Sequence, residues 1–328
     1  MKRLLKINSA DNVAIALVDG VKAGEVYAEG PDNVILKEDI ARGHKFALTD
    51  IAEGTPVIKY GYPIGVATRP IQAGEWIHSH NLRTGLSDDL EYTYAPVEPN
   101  LTHSDEAVTI DGYLRANGDM GIRNELWIVP SVGCVNGQAQ AIVEQLKREC
   151  DLSHVDDVRA YVHNYGCSQL GQDHANTRAA LAALIKHPNA GGVLVLGLGC
   201  ENNQVSALKE ELGDFDESRV KFIIAQEVED EVAEGVRVCR ELIEQMKADK
   251  RSPLPVSMLR VGLKCGGSDG LSGITANPLV GLFSDWLIAH GGTTVLTEVP
   301  EMFGAETILM NRAENEKVFE NTVHLIND

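Results

Sequence analysis

The amino-acid sequence predicts an α/β protein in which a small N-terminal β module precedes a larger domain built on a largely parallel sheet. The first observation is a run of short, glycine-punctuated apolar stretches over residues 1–85. The second is a regular alternation of apolar strands and amphipathic helices from residue 113 onward. The length of 328 residues agrees with this division, because a typical domain holds about 100–200 residues.

The β module and the segment after it differ in pattern. DNVAIALVD alternates apolar and polar residues, and PVIKYGYPIGVAT is rich in β-branched residues and broken by glycines. The next segment, residues 86–112, is acidic, contains Pro96 and Pro99 and has no sustained period. We therefore interpret residues 86–112 as a linker between two domains.

Residues 113–328 are expected to form the α/β domain. Buried-strand patterns recur along this part of the chain, each followed by a helical pattern: ELWIVPSVG, VRAYVHNYG, GGVLVLGLG, VKFIIAQ, SMLRVGLK and TTVLTEV. Strands and helices that alternate in this way form right-handed βαβ crossovers around a parallel sheet. Ligands bind such sheets beyond the carboxyl ends of the strands, so we expect the chemistry at that edge.

The composition argues against several functions. Twenty-nine basic and 48 acidic residues leave a net charge of -19, which opposes binding to nucleic acid or to anionic lipid. No apolar run approaches the roughly 18 residues of a membrane span, and polar residues interrupt the stretch that a signal peptide would need. We expect a cytoplasmic protein with a small-molecule substrate. The six cysteines contain no CxxC pair and are expected to be reduced thiols.

Four cysteines follow predicted strands at regular intervals. Cys134, Cys167, Cys200 and Cys265 are separated by 33, 33 and 65 residues, close to one, one and two βα units. We expect all four at one edge of the sheet, where helix N-termini favour thiolates and thiolates can bind iron. Packing in crowded turns and contact with substrate are the alternatives, and spacing does not separate them. Cys150 and Cys239 lie in helical patterns and are expected in cores.

Three histidines mark the β module. His78 and His80 lie two residues apart in WIHSHN, so on a strand they would share a face, and His44 occupies a matching loop tip. Together they could form a facial site for Fe(II) or Mn(II), although a plain polar strand tip has the same pattern. Arg83 follows shortly after and has the forked shape that binds carboxylates.

The segment CGGSDGLSGITANP combines glycines with Ser268 and Asp269 between a strand and a helix. Backbone N–H groups in such a loop can cradle an anion, although glycine-serine loops are also common inert connectors. GLGCEN lacks the third glycine of a dinucleotide-binding turn, and the chain has neither a GxxxxGK[ST] loop nor a GxSxG elbow.

With these motifs in view, the chain resembles the altronate/galactarate sugar-acid dehydratase family over essentially its whole length. The resemblance includes DNVAIAL and GHKFALTDI in a front module that is similar to a SAF (β-clip) domain. It continues through RANGDMGIRNELWIVPSVGCVNG, YGCSQLG, GLGCENNQ, CGGSDGLSGITANP and TEVPEMFGAE. The HSHN segment favours the altronate branch of the family.

The resemblance implies a hydro-lyase that dehydrates D-altronate to 2-dehydro-3-deoxy-D-gluconate with Fe(2+) or Mn(2+). The residues expected to act in catalysis are His44, His80, Asp269 and Ser268. Those expected to bind substrate are Arg83, Arg123, Gly266 and Gly267. Those expected to bind metal are His78, His80, Cys134, Cys167, Cys200 and Cys265, while the division of the histidines between metal ligand and base stays open.

Three alternative hypotheses about function are kept. The protein could be a related aldarate dehydratase, a sulfolactate-type lyase, or a non-catalytic subunit that binds metal or a sugar acid. Members of the family continue with a further glycine-rich region, which includes a GRGTPYGG-like segment. We therefore expect the 113–328 domain to be incomplete relative to the family, and we expect a homo-oligomer or a partner chain that carries that region.

Overall fold

The computed structural model describes residues 2–29, 32–85, 91–98 and 102–327. The chain divides into two compact units. Unit 1 joins two separate stretches of the chain, Met1–Ser104 and Arg260–Asp328, whereas unit 2 is the continuous stretch Asp105–Leu259. This division differs from the expected one, in which residues 113–328 formed a single domain, and the expected domain boundaries stay a prediction.

The N-terminal part of unit 1 is built from short strands, as the sequence predicted. The described strands are β1 (Leu4–Leu5), β2 (Val13–Ala16), β3 (Val26–Glu29), β4 (Asp32–Ile35), β5 (Lys45–Ala47), β6 (Pro56–Lys59), β7 (Tyr62–Ala67), β8 (Trp76–Ile77) and β9 (Leu82–Arg83). They form the sheets β1-β2-β5-β8, β3-β4 and β6-β7-β9, in which every pair is antiparallel. Phe46 and Ile77 lie in two separate apolar clusters of this module.

Unit 2 contains the parallel sheet and its helices. The described strands are β10 (Thr109–Leu114), β11 (Met120–Gly121), β12 (Glu125–Pro130), β13 (Val158–Ala160), β14 (Ala190–Gly197), β15 (Val220–Ile224) and β16 (Ser252–Pro255). The described helices are α1 (Asn136–Glu149), α2 (Gly171–Ile185), α3 (Val205–Leu212) and α4 (Glu231–Met246). β12, β13, β14 and β15 form a parallel sheet in the order β13-β12-β14-β15, while β10 pairs antiparallel with β11 and β16.

The parallel sheet is covered on both faces, which explains why its strands are apolar without alternation. Leu126 and Ile128 of β12 pack with α1 and α4 on one face. Trp127 and Val129 point the other way and pack with α2 and α3. Because both faces are buried, this sheet rigidly fixes the loops that leave its strand ends.

The C-terminal part of unit 1 contains a second parallel pair of strands. Its described elements are β17 (Arg260–Leu263), α5 (Ala276–Ala289), β18 (Thr293–Leu296), α6 (Glu306–Met310) and α7 (Glu316–Asn327). β17 and β18 pair with each other, and neither belongs to the sheet of unit 2. The expectation of one sheet that includes the strand before Cys265 is therefore wrong.

Part of the expected linker is folded. The Tyr94 ring packs 5.1 Å from the Phe319 ring of α7, and the backbone N–H of Val97 donates to the Asn311 carbonyl over 2.8 Å. Thr109–Leu114 is strand β10. Residues 86–90 and 99–101 of that linker lie outside the described residues. In the part of the chain that the structure describes, no helix is both long and apolar enough to cross a bilayer.

Candidate functional site

Three histidines of unit 1 gather around one tryptophan. The Trp76 indole Nε1 donates a hydrogen bond to His44 Nδ1 over 3.0 Å. The ring of His78 stacks on that of His44, with centroids 5.2 Å apart and planes 17° apart. The His80 ring lies 5.0 Å from the Trp76 ring. The structure therefore brings together the three imidazoles that the sequence singled out.

The two later histidines lie on a turn and not on a strand. β8 ends at Ile77, and Asn81, which is fully buried, organises the following turn. The Asn81 side chain donates to the Trp76 carbonyl over 2.9 Å and accepts from the backbone N–H of His78 over 3.0 Å. The expected strand geometry of His78 and His80 is wrong, because the Asn81 amide replaces the ladder that would have extended β8.

The contact with Trp76 decides which nitrogen of His44 carries a proton. An indole N–H can only donate, so His44 Nδ1 must be unprotonated, and neutral His44 carries its proton on Nε2. Burial lowers the pKa of His44, and repulsion from His78 and Lys45 adds to this effect. His44 is thus held as a neutral imidazole that offers an N–H donor at Nε2.

The glycine-rich loop at residues 265–274 packs directly on the β module. A Cβ on Gly43 would lie 3.1 Å from the Gly270 Cα, so two backbones meet where only glycines fit. A Cβ on Gly273 would lie 2.1 Å from the Tyr60 hydroxyl. Because Gly43 directly precedes His44, the loop containing Ser268 and Asp269 belongs to the same region as the histidines.

Within this loop, the Asp269 side chain accepts hydrogen bonds that fix the loop conformation. Its Oδ1 accepts from the backbone N–H of Leu271 over 2.7 Å and from the Ser272 hydroxyl over 3.3 Å. The Leu271 hydrogen bond lowers the pKa of Asp269, and Arg42 contributes a smaller attraction. A lowered pKa makes Asp269 a weak base, so the geometry favours loop positioning over proton abstraction.

The same loop begins with an exposed cysteine. The Cys265 Sγ lies 3.4 Å from the Ser268 hydroxyl. Gly266 and Gly267 follow it, are exposed and have no neighbour that an added Cβ would touch.

Glu298 is a functional candidate that the sequence reasoning missed. It follows β18 and adopts a left-handed backbone conformation with φ 63° and ψ 66°, which costs a residue with a side chain roughly 1 kcal/mol or more. Its carboxylate accepts from the Cys265 backbone N–H over 2.7 Å. The available signal was an acidic residue directly after a strand, in the segment TEVPE.

Two lysines of the β module, Lys45 and Lys59, are half-buried, and Lys45 directly follows His44. Burial lowers the pKa of Lys45, and repulsion from Lys59 adds to this effect. Burial also lowers the pKa of Lys59, against an opposing attraction from Asp11. Neither lysine could be predicted from the sequence, because nothing in the pattern distinguishes them from solvated surface lysines.

Three of the four strand-end cysteines follow strands that end at the same edge of the unit 2 sheet. Cys134, Cys167 and Cys200 follow the carboxyl ends of β12, β13 and β14, and all three are exposed. Cys265 follows β17 of unit 1 instead, which corrects the expectation that all four share a sheet edge. Cys239 is buried in α4, and burial raises the pKa of its thiol.

A buried polar network ties the cysteine loops together. The Glu201 carboxylate accepts from the Ser131 hydroxyl over 2.6 Å and from the backbone N–H groups of Leu198 and Gly199 over 3.1 and 2.5 Å. Burial alone would raise the pKa of Glu201, but these hydrogen bonds outweigh it and hold that pKa below its usual value. Asn203, also buried, donates to the Ser131 carbonyl over 3.1 Å.

The two arginines expected to bind substrate belong to different units of the chain. Arg123 pairs with Glu125, the first residue of β12, at the opposite edge of the sheet from Cys134. Arg83 lies on β9 and is exposed. The structure therefore does not place Arg123 with the cysteine loops.

The described residues do not fit a prebuilt Fe(II) or Mn(II) site. Among residues 2–29, 32–85, 91–98 and 102–327, no group of three or more His, Cys, Asp or Glu side chains is arranged to hold a metal ion. His44 is also a poor ligand, because Trp76 occupies its unprotonated nitrogen.

Comparison with known proteins identifies the family. Residues 2–85 match the altronate/galactarate dehydratase SAF domain, residues 112–247 the second domain of D-galactarate dehydratase/altronate hydrolase, and residues 256–328 the C-terminal domain of D-galactarate/altronate dehydratase. The chain is 55% identical to an altronate dehydratase of Bacillus subtilis and 54% identical to one of Escherichia coli, over 100% and 99% of its length. It spans 66% of the length of each of these relatives.

A third relative is more distant. The galactarate dehydratase (L-threo-forming) of Escherichia coli is 35% identical over 96% of the chain and 62% of its own length. The chain thus matches three family models, and it is more than 50% identical to two altronate dehydratases over 99% or more of its length. The chain therefore belongs to the D-galactarate/altronate dehydratase family.

Proposed function

We propose that this chain forms the main part of a hydro-lyase that dehydrates D-altronate to 2-dehydro-3-deoxy-D-gluconate. The observation that carries the proposal is the identity of 55% and 54% to two altronate dehydratases, against 35% to a galactarate dehydratase. The cluster of His44, His78 and His80 beside a glycine-rich loop supports it, because the reaction needs groups that accept and donate protons.

The reaction removes one proton and one hydroxide from neighbouring carbons. A base takes the proton from C2, the electron pair of that bond forms the C2=C3 double bond, and the C3–O bond breaks. The departing hydroxide takes up a proton and leaves as water. The enol that remains then ketonises at C2 to give the 2-keto-3-deoxy acid.

The tautomer of His44 divides these roles. Because its free nitrogen carries a proton, His44 is suited to donate a hydrogen bond to the leaving hydroxyl or to the enediolate oxygen. His78 and His80 are exposed, and one of them serves as the base that takes the C2 proton. Asp269 fixes the conformation of the loop through Leu271 and Ser272, and Ser268 lies beside the Cys265 thiol. Glu298 orients Cys265 by accepting its backbone N–H.

Exchange of the C2 hydrogen with deuterium oxide tests this division. His78→Gln or His80→Gln should abolish both exchange and keto-acid formation if that residue is the base. His44→Phe should slow keto-acid formation more than exchange, since it removes the donor and leaves the base. The matched control is His103→Gln, an exposed histidine of unit 1 outside the cluster. Full activity in all three cluster variants would remove the histidines from the mechanism.

The requirement for Fe(II) or Mn(II) stays a prediction, and we derive no step through a metal. Anaerobic metal analysis after incubation with each ion is the direct measurement. Alkylation of the exposed cysteines with and without Fe(II) locates the ligands, because a bound thiolate reacts slowly. Protection of Cys134, Cys167 and Cys200 together would support the cysteine loops, whereas metal uptake that is lost in His78→Ala would support the histidines.

The exposed face of α5 supports a partner polypeptide. Leu279 and Leu282 are each 68% exposed, and Trp286 on the same helix is 41% exposed. β17 and β18 form a parallel pair with Val295 half-exposed, although parallel sheets are normally covered on both faces. We propose that a region matching the last third of the relatives' sequence covers this face and completes the enzyme, whether it belongs to the same polypeptide or to a second one.

Co-expression with the last third of the Bacillus subtilis relative tests this partner. The two polypeptides should copurify, and keto-acid formation should rise. Leu282→Glu should prevent copurification, whereas Leu325→Glu, an exposed leucine on α7, should not. Keto-acid formation that is equally fast without the second polypeptide would show that this chain is active alone. If this chain binds D-altronate and remains inactive in both cases, it is a binding subunit.

A cytoplasmic location belongs to the same proposal. All six cysteines are unpaired, and four of them are exposed, which suits a reducing compartment.

A further inference from the structure

Of the two half-buried lysines of the β module, Lys45 is adjacent to the histidine cluster, and Lys59 contacts Tyr60, which in turn contacts the glycine-rich loop. Lys45 directly follows His44 at the start of β5, and its charge reaches both His44 and Lys59. Lys59 ends β6, with its ammonium nitrogen 4.5 Å from the centre of the Tyr60 ring. The Tyr60 hydroxyl in turn meets Gly273 of the loop.

Tyr60 holds this arrangement at a conformational cost. It forms the two-residue turn between β6 and β7 together with Gly61, and both residues have positive φ, 64° and 81°. Turns of this kind favour Asn, Asp or Gly, and a tyrosine there is strained. The strained turn thus holds the Tyr60 ring against Lys59 and its hydroxyl against Gly273 of the loop.

The charges around the lysines do not balance. Asp11 is the acid that faces Lys59, but it is buried and its two oxygens already accept the backbone N–H groups of Asn8 and Gly61, over 2.9 and 2.8 Å. Lys45 makes no ion pair with a described residue, and the neighbouring charge that acts on it, Lys59, repels it. In the loop, Asp269 faces Arg42.

An excess of buried positive charge is unusual in a chain with a net charge of -19. A half-buried ammonium without a carboxylate partner loses hydration and gains nothing in return, so it destabilises the folded protein. Such a group is retained where its partner arrives with a ligand. The ligand must be an anion small enough to reach a position beside His44.

We propose that Lys45, assisted by Lys59, binds the carboxylate of the sugar acid and presents its C2 to the histidine cluster. This inference rests on the proposed function and replaces the expected clamps Arg83 and Arg123. A carboxylate held at Lys45 lies next to His44, whose Nε2 proton can then reach an oxygen on C1 or C3.

Two probes separate the carboxylate from the rest of the substrate. D-altronate carries the carboxylate, and D-altritol has the same carbon chain with a neutral hydroxymethyl group in its place. Wild-type protein should bind D-altronate and bind D-altritol at least about tenfold more weakly, because the charge-assisted hydrogen bonds are lost. Lys45→Met should weaken D-altronate binding by a similar factor and leave D-altritol binding unchanged, whereas Lys45→Arg should restore most of the loss.

Stability gives a second readout that a merely structural lysine would not produce. Lys45→Met should raise the melting temperature without ligand, because it removes an uncompensated charge and keeps the apolar stem. The matched control is Lys22→Met, an exposed lysine paired with Asp39, which should alter neither ligand binding nor melting temperature appreciably.

The two possible failures are distinguishable. If wild-type protein does not bind D-altronate, the proposed function fails and this inference fails with it. If wild-type protein binds D-altronate and Lys45→Met binds it within twofold of wild type, this inference is overturned and the proposed function stands. A lower melting temperature with unchanged binding in Lys45→Met would likewise assign Lys45 to the fold.

Discussion

The Trp76 indole N–H donates to Nδ1 of His44 over 3.0 Å, so a residue of β8 sets the protonation pattern of the residue that directly precedes the neighbouring strand β5. A histidine without such a partner samples both neutral tautomers. Here the tautomer with the proton on Nε2 is held in advance, which removes one rearrangement before a substrate is engaged.

Replacing Trp76 by Phe keeps an aromatic ring and removes the donor. We expect the Nδ1–H tautomer of His44 to become populated, because nothing then opposes it, and we expect keto-acid formation to fall roughly five- to tenfold, the effect of one hydrogen bond. Nitrogen-15 NMR of the imidazole measures the tautomer directly. Trp286→Phe on α5 is the control, and an unchanged His44 spectrum in Trp76→Phe would contradict the assignment.

Because Gly43 and Gly270 approach closely, we expect alanine to be destabilising at Gly270 and tolerated at Gly266. Gly270→Ala places a Cβ 3.0 Å from the Gly43 Cα, so one backbone must shift, which should cost about 1–3 kcal/mol of stability. Gly266→Ala in the same loop meets nothing within 4 Å and is the matched control. Thermal unfolding of the two variants decides the matter, and equal melting temperatures would show that the loop does not pack on the β module.

The buried network of unit 2 predicts that two serine-to-alanine substitutions will change the unfolding free energy by different amounts. Ser131 and Ser218 each donate to a carboxylate over 2.6 Å, the first while buried and the second while exposed. Ser131→Ala leaves the buried Glu201 charge short of a donor and should cost about 1–3 kcal/mol of unfolding free energy. Ser218→Ala should cost less than about 0.5 kcal/mol, as is usual for surface changes. Urea denaturation that gives similar losses for both variants would be inconsistent with the network.

The lowered pKa of His187 should make the stability of unit 2 depend on pH. Burial lowers the pKa of His187, against a partial opposing attraction from Glu125. The unfolded chain therefore takes up a proton at higher pH than the folded chain does. The contribution to stability is complete above the ordinary histidine pKa of about 6.5 and is lost as the pH falls toward the lower pKa of the folded state.

Replacement of His187 by Gln should accordingly flatten the fall in stability between about pH 6.5 and pH 5. Proteolysis in urea, followed by mass spectrometry of fragments from residues 105–259, reports the stability of unit 2. The exposed His103→Gln supplies the control. A fall that is as steep in His187→Gln as in wild type would assign the pH dependence to other groups.

The strand ends of unit 2 could be predicted because chain order and hydrophobic pattern suffice there. Cys134, Cys167 and Cys200 each follow an apolar strand, and parallel neighbours necessarily bring such positions to one edge. Cys265 follows the same local pattern, but the pattern does not tell which sheet a strand joins. β17 pairs only with β18 among the described strands, and that choice depends on tertiary packing.

The candidate site was harder to predict, because its contacts join residues that are far apart in the chain. No local signal relates Gly43 to Gly270 or Tyr60 to Gly273. The histidines could be found by their spacing, yet their turn geometry depends on the single amide of Asn81. Lys45 could not be singled out from the sequence, because only its burial distinguishes it from a surface lysine.

The discontinuity of unit 1 has a consequence for synthesis on the ribosome. The β module leaves the ribosome first, but residues 260–327, against which Gly43 and Tyr60 pack, follow only after the whole of Asp105–Leu259 has been made. At translation rates of roughly 5–20 residues per second, that delay is on the order of 10–30 s. Unit 2 is continuous and can complete its sheet during the wait. The nascent β module must meanwhile keep an unpaired surface exposed, so this protein is most vulnerable to misfolding and to chaperone capture in the interval before residue 260 emerges.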